Sequence, residues 1–303
     1  MRTAVIDIGT NTLLLLIVDE KLRRVVDLCR FGRLGKGLDA SGKLDDEAIA
    51  KSLDICREYR RVMTQHEVKA PHIIGTQALR EAANARDFVG PAEEILGASI
   101  EVIEGAREAE LAYLSVARTF PELGDSCFVV VDVGGGSTEL ITANDGGVVN
   151  AVSVPIGAVR LTERYLESDP PALGEALRLD DKIDRTLAGL ELPAGVPVIG
   201  TAGTATTMAA FSLGLTTYDP DKVTGHKLTT DEVDQLRKRL FKATVAERRE
   251  MPGIEPQRAD VIAAGVAIYH RVMHRIGSPL LITCDRGIRW GLAYELAARA
   301  GGA

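Results

Sequence analysis

A strand, a glycine turn and a run of small polar residues occur twice in this chain at one fixed separation. Val5-Ile6-Asp7-Ile8-Gly9-Thr10-Asn11-Thr12 aligns with Val130-Val131-Asp132-Val133-Gly134-Gly135-Gly136-Ser137. The same offset carries Phe31-Gly32 onto Ile156-Gly157, and Ile73-Ile74-Gly75-Thr76 onto Val198-Ile199-Gly200-Thr201. One such match among Gly-rich turns is weak, but three anchors at one offset argue for two related halves. A chain of 303 residues is also longer than one core needs. The division is expected near 122–126, giving a first domain over 1–124 and a second over 125–303. A C-terminal helix over about 286–303 is expected to pack back on the first domain. The register of the repeat is lost after about residue 210, so the second half carries an insertion.

Within each half, strands precede helices. Thr3–Asp7 and Leu13–Asp19 read as a hairpin, repeated by Phe128–Val133 and Thr138–Thr142. Ile49, Leu53, Cys56, Tyr59 and Met63 share one face of a helix over 45–65, with acids in its first turn. Further helices are expected over 107–118 and 260–276, and between the prolines at 170–171 and 193–197. Thr229 and Glu232 form a capping-box pattern ahead of Val233, Leu236 and Leu240. Mixed sheets with flanking helices make an α/β class.

Composition removes several function classes. The 36 basic and 43 acidic residues leave a net charge of −7, so a global basic footprint for duplex nucleic acid is absent. An anionic substrate must be held by a local site. The longest strongly apolar run is Leu13–Val18, far short of the ~20 residues a membrane helix needs. A strand from Thr3 leaves no room for a signal peptide. Four scattered cysteines without a CxxC pair suggest buried thiols in a reducing compartment. Together these give an expected cytoplasmic location.

The glycine turns are the first chemical feature. Thr10, Asn11 and Thr12 follow Gly9, and Gly134-Gly135-Gly136-Ser137 takes the same place in the second half. Glycines let backbone amides approach an anion closely, and converging amides form an anion nest. Gly75-Thr76 and Gly200-Thr201-Ala202-Gly203-Thr204 each precede an expected helix, whose N-terminus favours phosphate. Asp7 and Asp132 lie at the ends of their strands, and Glu139 on the return strand after Asp132. Carboxylates so spaced can converge near the turn mouth and suit Mg²⁺ (or Mn²⁺) alongside substrate phosphates. Read singly, Asp132 is equally a turn-capping acid and Glu139 a solvated strand residue.

The whole chain resembles the exopolyphosphatase/guanosine pentaphosphate phosphohydrolase (Ppx/GppA) family. The matching stretches are Ala4–Thr12, Gly75–Asn84, Val102–Leu111, Val131–Leu140, Gly200–Thr207 and Ala259–Gly265, in the family's order. The resemblance implies two duplicated ribonuclease-H-like domains of the actin–Hsp70–sugar-kinase superfamily, with an interdomain cleft for phosphates. It implies that Glu108 is the catalytic base, although alone it reads as a first-turn helix acid favoured by the dipole. Where the family carries two acids, this chain has Arg107 and then Glu108, which leaves the local charge around the base open. It implies that Arg80 binds phosphate, and it makes Arg33 and Lys36 weaker candidates. His226, Arg286 and Arg289 are given no role.

The implied activity is Mg²⁺-dependent removal of terminal phosphate from inorganic polyphosphate, by a homodimer. Hydrolysis of guanosine pentaphosphate is the alternative, which the sparse aromatic content mildly disfavours. Rivals of other classes are an actin-like kinase or ATPase, and a non-catalytic polyphosphate or alarmone sensor. The chain ends at Ala303 without the extra helical region of longer family members, and its last residues look frayed. The expectation is therefore a preference for short polyphosphates and distributive cleavage of long ones.

Overall fold

The computed structural model describes residues 2–301. Of the end expected to fray, 300–303, Ala300 and Gly301 instead close the helix Ile288–Gly301, and 302–303 lie outside the described residues. The apolar run Leu13–Val18 forms strand β2. It pairs antiparallel with β1 (Thr3–Ile8) on one side and β3 (Arg24–Arg30) on the other. β4 (His72–Gly75) lies parallel to β1, and β5 (Ile100–Val102) parallel to β4, giving the order β3-β2-β1-β4-β5.

The second sheet is built the same way. β6 (Phe128–Val133), β7 (Thr138–Asn144) and β8 (Gly147–Val154) form an antiparallel meander. β9 (Val198–Thr201) runs parallel to β6, and β11 (Leu280–Thr283) parallel to β9. β10 (Lys227–Thr229) adds an antiparallel edge beyond β11, so the order is β10-β11-β9-β6-β7-β8. Without β10 the two orders coincide strand for strand. This is the duplicated α/β, ribonuclease-H-like architecture.

The chain divides into two units, Met1–Arg118 with Ile288–Ala303, and Thr119–Gly287. The division falls after Arg118, where the helix Gly105–Thr119 ends, so residues 119–124 go with the second unit. In the first unit Ile6, Ile8, Leu13, Leu15 and Ile17 are fully buried with Cys56, Tyr59 and Met63 of the helix Asp46–Gln65. Asp45 caps that helix, accepting from the amides of Glu47 and Ala48. The Tyr59 hydroxyl donates to the Leu13 carbonyl at 2.7 Å, which satisfies its one polar atom inside the core.

In the second unit Val129, Val131 and Val198 pack with the wholly buried face of the helix Ile262–Ile276. The extra sequence of this half lies between the helix Ala202–Ser212 and that helix. It forms β10, the helix Thr230–Lys242 with its Thr229/Glu232 capping box, and a shorter helix Val245–Arg249. Arg248 of the short helix is buried, and its guanidinium donates to the carbonyls of Leu240 and Ala259. The four cysteines are free thiols; Cys56 and Cys284 are buried, but Cys29 on the edge strand β3 is exposed. Among the described residues no helix is long and apolar enough to cross a membrane.

Candidate active site

The two hairpin turns close alike. The Gly9 amide donates to the Thr12 carbonyl at 2.9 Å, and the Gly134 amide to the Ser137 carbonyl at 3.0 Å. The third anchor of the repeat explains what the turns can bind. The amides of Ala158, Val159 and Arg160, at the start of the helix Ala158–Tyr165, donate back to the carbonyls of Gly134 and Gly135. In a trans peptide the C=O and the next N–H point in opposite directions. The amides of Gly135 and Gly136 therefore face away from that helix, and among the described residues neither donates to a protein acceptor. Gly157 must lack a side chain, since a Cβ there would meet the Gly135 carbonyl oxygen at 2.4 Å.

In the first unit the amides of Gly35 and Arg33 hold the carbonyls of Thr10 and Asn11 in the same manner. The Thr10 hydroxyl donates to Gln77 Oε1 at 2.8 Å, which fixes the side chain at the turn. The amides of Asn11 and Thr12 then point outward by the same peptide geometry. Each unit thus presents a small cradle of oriented donors, suited to an anion.

The acids differ between the copies. Asp132 and Glu139 are directly opposite each other on β6 and β7, whereas Asp7 on β1 lies opposite Leu14. Asp132 and Glu139 are both buried. Two hydroxyls converge on one oxygen of Glu139, Ser137 Oγ at 2.9 Å and Ser153 Oγ at 2.7 Å. Like charges directly opposite on a hairpin repel. Two buried carboxylates set opposite each other fit the one or two that a divalent cation such as Mg²⁺ typically takes beside phosphate oxygens. Asp132 also acts on Tyr269: burial first, then the Asp132 charge, pushes that phenol well above its usual range. The Tyr269 hydroxyl stays a donor, shared between the carbonyls of Val131 and Thr201 across β6 and β9.

Gly203 and Thr204 lie in the first turn of the helix Ala202–Ser212, which Ala202 enters at φ 61°. Left-handed backbone is uncommon for alanine and stores strain of the kind seen at ligand sites. A Cβ on Gly203 would lie 2.0 Å from Arg258 Nη1, so that guanidinium rests on the Gly203 backbone. Sequence reasoning passed over Arg258, because it lies far from the turn in sequence and just ahead of the block beginning at Ala259. The first-unit counterpart is smaller: Gly75-Thr76 leads into a helix of one turn, Gln77–Glu81, too short to be an anion site on its dipole.

Glu108 is buried in the first turn of the helix Gly105–Thr119. Arg80 Nη1 donates to Glu108 Oε1 at 2.8 Å and to the Ile103 carbonyl at 2.5 Å. Arg80 and Glu108 are therefore brought together, with the guanidinium orienting the carboxylate. Arg107 points elsewhere: its Nη2 donates to both carboxylate oxygens of Glu295 at 2.7 Å. The weaker candidates scatter. Arg289 is buried in an ion pair with Asp27 at 3.1 Å. His226 Nε2 lies 3.1 Å from Ser212 Oγ, and burial lowers its pKa. Lys36 is exposed on its loop, and Arg33 turns that loop at φ 58°.

Residues 15–300 match the model of the Ppx/GppA phosphatase family. Exopolyphosphatase 2 of Mycobacterium tuberculosis is 34% identical, over 98% of both chains. The crystal structure of an exopolyphosphatase from Cytophaga hutchinsonii is similar at a TM-score of 0.91 and 28% identity, over 99% of this chain and 98% of that one. A Ppx/GppA family member from Aquifex aeolicus is similar at a TM-score of 0.82 and 30% identity, covering 99% and 98%. The chain is a member of the Ppx/GppA phosphatase family.

Proposed function

We propose that this protein is an exopolyphosphatase, hydrolysing the terminal phosphoanhydride of inorganic polyphosphate and releasing phosphate. The observation that carries the reading is the second hairpin, where oriented glycine amides sit at the tip above a buried, opposed carboxylate pair. Relatives that bear the exopolyphosphatase name across their full length support the choice of substrate. Asp132 and Glu139 would hold Mg²⁺, with Ser137 and Ser153 fixing the Glu139 carboxylate. The bound cation would neutralise charge on phosphoryl oxygens. In the second unit the amides of Gly135 and Gly136, with Ser137, Gly203 and Thr204, would receive phosphate oxygens, and in the first unit the amides of Asn11 and Thr12 are donors of the same kind. Such preorganised donors supply most of the stabilisation in phosphoryl transfer.

Glu108 would accept a proton from the attacking water, held in place by Arg80. The Arg80 guanidinium would also contact phosphate through Nη2. General-base assistance contributes ~10²–10⁴-fold. Glu108→Gln keeps size and hydrogen bonding but removes the base. Its kcat should fall by ~10²-fold or more with KM little changed. Wild-type turnover by the purified variant would remove Glu108 from the mechanism.

A further inference from the structure

The helix Gly105–Thr119 is also gripped by the terminal helix Ile288–Gly301. The grip has two points, four residues apart on each helix. At one, a Cβ on Gly291 would lie 2.0 Å from the Leu111 carbonyl oxygen, so only glycine lets the two backbones meet. At the other, Glu295 accepts from Arg107 with both oxygens at 2.7 Å, and Arg299 adds a contact to Glu295 at 2.8 Å. Pairs 291–111 and 295–107 are the pattern of antiparallel helices meeting once per turn. The terminal helix is itself anchored, through Trp290 and Ala293 in the core and Arg289 on Asp27. Arg107 and Glu108 are neighbours, so their side chains leave the helix about 100° apart. The first turn is thus fixed from two directions, by Glu295 on Arg107 and by Arg80 on Glu108.

We infer that the terminal helix is a brace for the catalytic glutamate, with Glu295 and Arg107 as positioning residues. The inference rests on the proposed role of Glu108 as base. It gives the departure at Arg107 a purpose: the cation serves the brace and not the base. A displacement of about 1 Å at a reacting group can cost up to ~10²-fold.

The test measures polyphosphate hydrolysis by Arg107→Gln, Glu295→Gln and their double variant, with Glu108→Gln and thermal unfolding in parallel. Each single variant should lose roughly tenfold in kcat with KM unchanged. The double variant should be no worse than either single one, because both act through one bond. Unchanged kcat in Glu295→Gln, or additive losses, would overturn the brace. So would a fall in kcat that merely follows a fall in Tm. An active Glu108→Gln would remove base and brace together. An inactive Glu108→Gln beside a fully active Glu295→Gln would remove the brace alone.

Discussion

At the scale of single residues, chemistry and packing divide charges of the same type. Arg80, Arg107, Arg258 and Arg289 all look alike in sequence, yet one orients Glu108, one holds Glu295, one covers Gly203 and one is buried on Asp27. Motif residues made Arg80 legible. Arg258 was not, because nothing in spacing reports a guanidinium lying on a distant glycine. Ser153 was equally hidden: it reaches Glu139 only because β8 pairs with β7, with Ser153 opposite Glu139. Ser153→Ala should raise the Mg²⁺ concentration needed for half-maximal activity several-fold, with kcat at saturating Mg²⁺ near wild type. Asp132→Asn should raise it much further. Metal titrations of activity check both, and full wild-type activity in excess EDTA would defeat the metal assignment. Burial pushes the His270 pKa down to about 4, with Arg237 and His274 acting in the same direction and Asp234 opposing them. The sign follows from the depressed value. The neutral ring is fully compatible with folding above the unfolded pKa of ~6.5, and stability is lost as pH falls from there towards about 4. His270→Gln should flatten that part of a stability-against-pH curve measured by urea unfolding.

At the scale of elements, long periodic helices and apolar hairpins were legible, and exposed edges were not. The helix Asp46–Gln65 carries its apolar face and its Asp45 cap in the sequence. The helix expected from Asp260 starts instead at Ile262, since 256–258 form a separate 3₁₀ turn. β3 and β8 escaped notice because each is a sheet edge with mostly exposed or half-buried residues, so the alternation that marks a strand is faint. Those edges nonetheless lead into the segments that hold the turn carbonyls. Gly157→Ala would drive a Cβ into the Gly135 peptide and displace the glycine turn. The expected outcome is loss of most turnover, with KM raised and the fold retained, checked by steady-state kinetics and circular dichroism. The Thr229/Glu232 box is a gentler case. Thr229→Ala should cost about 1 kcal/mol of stability without touching activity.

At the scale of the whole molecule, the duplication was the most legible feature, because glycine turns tolerate few alternatives and so preserve their spacing. Both sheets repeat one strand order, and the insertion expected after residue 210 is the segment carrying β10. What the repeat could not convey is where the copies diverge. The first copy has Leu14 where the second has Glu139, so one hairpin offers an acid pair and the other a single carboxylate. On the proposed reading, that asymmetry would put the cation at the second hairpin and leave the first with outward-pointing amides and the single carboxylate of Asp7. The proposed reaction is hydrolysis of a terminal phosphoanhydride with water as the acceptor. Phosphate release should be measured for the purified protein with Mg²⁺ on polyphosphate of defined length, beside guanosine pentaphosphate and ATP. Steady release from polyphosphate is expected, without any added acceptor, at a kcat/KM above that for either nucleotide. Preferred turnover of guanosine pentaphosphate, or tight polyphosphate binding with no phosphate released, would contradict it.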